Sequence, residues 1–238
     1  MSDPETIRAF DEDVTVHEGY VYTTGDRLAS RLARARWVSA ICELTDMRGR
    51  RVLDLGCGDG HFSRIFYDGD GPSEIVGLDP SANAIASAET KKGGRRITYQ
   101  VGDGHSLPFP DRSFDIVLIQ GVLHHDNDAE GIVREACRVG REIIVFEPNG
   151  NSPLLKILEK VSPYHRQHKE KSYFPRTIDR WLAGAGATVV MRRYSNFVPV
   201  LAPELMARVC KALEPAIEAI PVVRALGCAI YAVKAEVR

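Results

Sequence analysis

Arg51-Val52-Leu53-Asp54-Leu55-Gly56-Cys57-Gly58-Asp59-Gly60 decides the fold. It begins as an apolar run fit for a buried strand and ends in glycines at alternate positions. The segment after it, His61 to Tyr67, has helical character. Strand, glycine turn and helix are how an open α/β sheet makes a ligand crevice at the carboxyl ends of its strands. Glycine lets the backbone turn sharply and lets a ligand lie against it without a Cβ in the way. A dinucleotide turn would need G-x-G-x-x-G. Its third glycine would fall at His61 or Ser63, so both registers fail. A tight strand-to-helix connection without any ligand is the plainer alternative.

Working outward, the chain repeats the strand-and-helix theme. Ile75 to Asp79 is a second apolar run ending in an acid about twenty residues past the glycines. An acid there accepts hydrogen bonds from ribose hydroxyls. It could equally cap the helix that Pro80-Ser81 introduces. Ala82 to Thr90 is alanine-rich and helical, and Ile97 to Val101 alternates as a third strand. Gly102-Asp103-Gly104 follows. Ser113 to Gln120 is a fourth strand, apolar enough to be buried on both faces. It leads into His124-His125. Asp126 to Val139 is expected to be helical, and Glu142 to Glu147 is a fifth strand. This order predicts a doubly wound, mostly parallel α/β sheet.

Before the glycine turn, a helix is expected over Asp26 to Leu44. Beyond Gly150 the sequence predicts helices at Ser152–Val161 and Pro175–Ala185, and strands at Thr188–Met191 and Cys228–Val233. Helices at Pro203–Leu213 and Glu214–Leu226 should be punctuated by Pro215 and Pro221. The whole, 1–238, is expected to be one domain. Residues 1–47 form N-terminal cap helices, 48–150 a cofactor-binding core, and 151–238 substrate-side insertions with the last two strands.

Asp54-Leu55-Gly56-Cys57-Gly58-Asp59-Gly60, Asp79, Asp103, the Phe114–His125 segment and Glu147 together resemble the class I S-adenosylmethionine-dependent methyltransferases, over roughly residues 48 to 150. The resemblance implies a seven-stranded, Rossmann-like sheet with the last strand antiparallel between the fifth and sixth. It implies S-adenosylmethionine as cofactor, with Asp103 taking the adenine amino group. Candidate cofactor residues are then Asp54, Gly56, Cys57, Gly58, Gly60, Asp79, Pro80, Gly102, Asp103, Gly104, Gln120 and, from the N-terminal segment, Tyr20. The chain also resembles the small-molecule and sugar O-methyltransferases that carry a His-His pair after the fourth strand. That pair occurs too in members acting at carbon or nitrogen, so an N- or C-methyltransferase of a small metabolite or of a quinone or lipid-like ring is the alternative.

A hydroxyl acceptor must lose a proton, and a positioned imidazole suits that task near neutral pH. His125 is the first candidate base and His124 the second, because adjacent residues in extended chain face opposite ways. Glu147, at the next strand end, could orient the histidine. Helix-capping histidines are the structural alternative. Tyr22, His165, Arg166 and His168 are candidate substrate contacts, a solvated loop being the plain reading of the last three. No spacing demands a metal.

Composition narrows the classes. With 238 residues, 44% hydrophobic and 26% charged, the chain can bury a sizeable core, and its net charge of −1 offers no basic field for nucleic acid. Five scattered cysteines include no C-x-x-C pair, which suits a reducing cytoplasm. No apolar run is long enough for stable membrane insertion. The expected partner is a small-molecule substrate, with a homodimer possible. A binding module that holds the donor without catalysis is the non-enzyme alternative.

Overall fold

The computed structural model describes residues 25–161 and 171–238. The expected cap and loop residues Tyr20, Tyr22, His165, Arg166 and His168 lie outside that range.

In chain order the elements are α1 (Leu28–Cys42), β1 (Arg51–Leu55), α2 (His61–Asp70), β2 (Glu74–Asp79), α3 (Ala82–Lys91) and β3 (Ile97–Val101). There follow β4 (Phe114–Gln120), a 3₁₀ turn (Leu123–His125), α4 (Ala129–Val139), β5 (Gly140–Pro148) and α5 (Pro153–Val161). The last are α6 (Pro175–Gly184), β6 (Ala187–Ser195), α7 (Glu204–Ala219), α8 (Pro221–Gly227) and β7 (Ile230–Val237). The seven strands form one sheet in the order β3-β2-β1-β4-β5-β7-β6. β7 runs antiparallel between β5 and β6 and the other pairings are parallel, as the sequence led us to expect.

Alternation along the strands divides the core. Leu53, Leu55, Val117, Ile119, Ile143 and Val145 pack under α4 and α6. Val52, Ile116, Leu118, Ile144 and Phe146 face the other way, under α1, α2 and α3. Both faces are covered, so the central strands read as nearly continuous apolar runs.

Two expectations fail. Pro215 does not end a helix, because α7 runs through it. Glu214 and Glu218, on either side, accept hydrogen bonds from the backbone N–H groups of Phe197 (3.0 Å) and Asn196 (3.3 Å), which hold the helix in place across the lost backbone bond. The expected helix from Asp126 begins three residues later. Asp128 is its cap, its Oδ1 accepting from Gly131 N at 3.1 Å.

Candidate active site

The carboxyl ends of β1, β2, β4 and β5 open into one cavity of about 660 Å³. Its floor is the glycine turn. Gly56, Gly58 and Gly60 have φ of 78°, 53° and 71°, the left-handed region that disfavours a side chain. A Cβ on Gly56 would strike Val122, and one on Gly60 would strike the Tyr99 ring. The turn is held by Gly56 N–H and Cys57 N–H, both donating to Leu78 O, at 2.7 and 3.2 Å.

Asp79 ends β2 beside this turn. Its Oδ2 accepts from Gly58 N and its Oδ1 from Ser81 N, each at 2.9 Å. A carboxylate oxygen can accept more than one hydrogen bond, so Asp79 is of the chemistry that takes a hydroxyl of a bound nucleoside. Gln120, ending β4, has a buried Oε1 with no partner among the described residues. His61, the first residue of α2, likewise has a buried Nε2 with no partner among them, and burial holds its imidazole below the ordinary 6.5. Both line the cavity, with Trp37 and Phe62 nearby. A bound group with its own donors and acceptors would satisfy these atoms. The left-handed turn, the strand-end acid and the orphaned acceptor therefore fit the methyl donor that the sequence resemblance implies.

Among the sequence-derived candidates, Gly56, Cys57, Gly58, Asp79, Pro80, Gly104, Gln120, His124 and His125 line the cavity. Asp54, Gly60, Gly102 and Asp103 do not. Asp54 lies beneath the turn, 2.5 Å from Ser63 Oγ, and its burial, with Asp79 nearby, pushes its carboxyl up to about 6. Asp103 accepts from His105 N at 3.0 Å and lies 2.7 Å from His105 Nδ1. Burial raises the Asp103 carboxyl, but these bonds hold it below its ordinary value. His105 Nε2 reaches Asp126 Oδ1 at 3.1 Å, so a partly buried imidazole joins Asp103 to the cavity wall.

The histidine pair departs from expectation. Residues 123–125 form a 3₁₀ turn, so the alternation of an extended chain does not apply and both rings line the cavity, 3.8 Å apart between centroids. Glu147 pairs with His124 rather than His125. Its Oε2 lies 2.7 Å from His124 Nδ1. The same carboxylate accepts from the backbone N–H groups of Val122 (2.7 Å), Leu123 (2.8 Å) and His124 (3.3 Å). Four donors on one buried carboxylate fix the turn and the ring together. With its proton on Nδ1, His124 presents a lone pair at Nε2.

Sequence reasoning missed His61, Trp37 and Asp126 in the lining, and of the far wall it placed the segment, 151–238, on the substrate side without naming the apolar residues that line it. That wall is largely apolar: Leu154, Leu155, Leu158, Phe197, Val200 and Met206 contribute, with Glu159 and Ser172 as polar points. His61 carried one signal, its place immediately after the glycines. Among the described residues no cluster of His, Cys, Asp and Glu is arranged to hold a metal ion.

Residues 53–143 match the family model described as a methyltransferase domain. An uncharacterised methyltransferase of Bacillus subtilis, YcgJ, is 36% identical over 112 residues, 44% of this chain and 44% of its own length. A demethylmenaquinone methyltransferase of Thermotoga maritima is 34% identical over 130 residues, 52% of this chain and 56% of its own. The chain thus spans about half the length of the curated relatives it matches. A solved Thermotoga maritima structure, described as an S-adenosylmethionine-dependent methyltransferase and possible histamine N-methyltransferase, superposes with a TM-score of 0.71 at 16% identity, covering 98% of this chain and 100% of that one. Residues 53–143 are thus similar to a methyltransferase domain, and the fold is the one seen in class I S-adenosylmethionine-dependent methyltransferases.

Proposed function

We propose that the chain is an enzyme that transfers the methyl group of S-adenosylmethionine to a hydroxyl oxygen of a small molecule whose body is largely apolar. His124 is the base and Glu147 its positioning partner. The observation that carries this reading is the 2.7 Å contact between His124 Nδ1 and Glu147 Oε2, at the edge of a cavity with one polar and one apolar wall.

S-adenosylmethionine supplies a methyl group already activated on a sulfonium. The chain must therefore hold the donor, place the acceptor and remove a proton. Asp79 takes the ribose hydroxyls, the glycine turn admits the donor against bare backbone, and Gln120 Oε1 accepts from its polar end. His124 Nε2 takes the acceptor's hydroxyl proton, and Glu147 keeps that imidazole in the right tautomer and stabilises its charge. The apolar far wall supports a ring-bearing or otherwise apolar acceptor over a bare sugar, which would find few polar partners there.

Carbon is the second reading. Relatives named demethylmenaquinone methyltransferases favour it, and the same base would serve. A ring hydroxyl that loses its proton to His124 makes the neighbouring ring carbon nucleophilic.

The test incubates the chain with carbon-13-methyl S-adenosylmethionine and a panel of naphthols, quinols and glycosides, and reads the product by NMR, which separates O-methyl from C-methyl. O-methylated ring hydroxyls are expected. N-methylation of added amines with full activity in His124→Asn would sink the histidine-base reading.

A further inference from the structure

α7 is turned inside out. Two of its three carboxylates face the protein: Glu214 is 2% exposed, and Glu218 pairs with Arg36 at 2.6 Å. Both serve backbone N–H groups of the 196–197 loop, which fixes the rotation of the helix. The opposite face then carries Leu205, Val209 and Leu213, one turn apart and all exposed, Leu205 by 76%. A helix that only completed a core would have the reverse arrangement.

The neighbouring helices continue this surface. Leu154, Ile157 and Val161 are exposed on α5, and Val222 and Leu226 on α8. α8 packs against both α5 and α7. The cavity opens within it: Leu154, Leu201 and Met206 are exposed and also line the cavity. Chains that work alone in water rarely leave so many large apolar groups together at the surface.

Charge says what covers it. Lys160, Arg208 and Lys211 stand on the same helices and reach solvent, Arg208 pairing with Glu204 at 2.7 Å and Lys211 with the buried Glu214 at 2.5 Å. The acids there are mostly turned away: Glu159 accepts from Ser172 N at 2.8 Å, and Glu214 and Glu218 point inward. Only Glu204 faces out, beside Arg208. Apolar rows with cations among them match the interface of an anionic bilayer, where the rows enter the acyl boundary and the cations meet the headgroups. Among the described residues no helix is long and apolar enough to cross a membrane, so the contact is with the surface.

We propose that this face docks on an anionic lipid bilayer with the cavity mouth against it, and that the acceptor enters from the lipid. The second half rests on the reading of the cavity as an acceptor site; the docking does not. The full chain is mixed with phosphatidylcholine vesicles, with or without phosphatidylglycerol, and floated on a density gradient. Binding should favour the phosphatidylglycerol vesicles and weaken as salt is raised. Leu205→Glu with Val209→Glu, or Val222→Glu alone, should lower the bound fraction about tenfold or more. These positions are exposed and outside the cavity, so melting temperature and calorimetric affinity for S-adenosylhomocysteine should hold. No flotation of the wild type, or equal flotation of the variants, overturns the proposal. So does a dimer in sedimentation velocity that the same variants split, because the face is then a contact between two copies. Flotation without S-adenosylhomocysteine binding would instead remove the methyltransferase reading and leave the docking intact.

Discussion

One wall of the cavity is made mostly of backbone and the other mostly of side chains. On the first, Gly56 and Gly58 turn through left-handed conformations, and Asp79 is held by two N–H groups. On the second, helices α5 and α7 and the 196–203 loop present apolar side chains. A backbone wall fixes geometry to fractions of an ångström and tolerates almost no substitution. A wall of flexible apolar groups fixes a volume, and many exchanges preserve it. The two walls can therefore change independently, and His124 stands where they meet.

The largest test of that division is at the meeting point. His124→Asn should cut turnover by about 10² to 10⁴ while S-adenosylhomocysteine affinity holds within about twofold. Stopped assays and calorimetry read the two quantities separately, and a loss of both would make His124 part of the donor wall.

Beneath the backbone wall, Asp54 makes a pH signature. Its folded carboxyl is raised to about 6 from an ordinary 3.8. The folded chain holds that proton more tightly, so the stabilisation is complete below the unfolded value. It is lost as pH rises through the folded one, about 3 kcal/mol in all. Urea unfolding at several pH values should show this fall in the wild type and its absence in Asp54→Asn. Parallel curves for the two proteins would contradict the assignment.

Asp79→Ala removes the acceptor for Gly58 N–H and Ser81 N–H as well as the proposed ribose contact. Affinity for S-adenosylhomocysteine should weaken about 10- to 100-fold by calorimetry. Unchanged affinity would take Asp79 out of the donor site.

The smallest effect belongs to the side-chain wall. Leu158→Ala should raise the acceptor KM about tenfold or less, leaving donor affinity alone. If donor affinity moves instead, the two walls are not separate.

What could be read in advance follows the same division. The strand, turn and helix from Arg51 onward are local: glycine spacing and an apolar run are enough to specify them, and Asp79 follows at a fixed distance. That Glu147 could orient a histidine was legible, but that the histidine is His124 and not His125 was not, because this depends on a 3₁₀ turn whose N–H groups are gathered by a carboxylate 23 residues away. The continuity of α7 through Pro215 was hidden too. It depends on bonds from Glu214 and Glu218 to a loop that no local rule places beside them. Asp103 was singled out by its position in the chain, but it does not line the cavity, and its engagement by His105 needed the folded geometry. The far wall was legible as a segment but not residue by residue, because exposed and cavity-facing leucines look alike in a sequence.

The slot that β7 fills has a consequence for synthesis. β6 borders only β7, and β5 meets β6 only through it. During translation β6 emerges before its neighbour among the described strands exists, and β5 carries a bare hydrogen-bonding edge for as long as residues 149–229 are being made. Nearly half the sheet order thus waits on eight residues, Ile230–Val237, and the nascent chain must be kept from pairing elsewhere until they leave the ribosome.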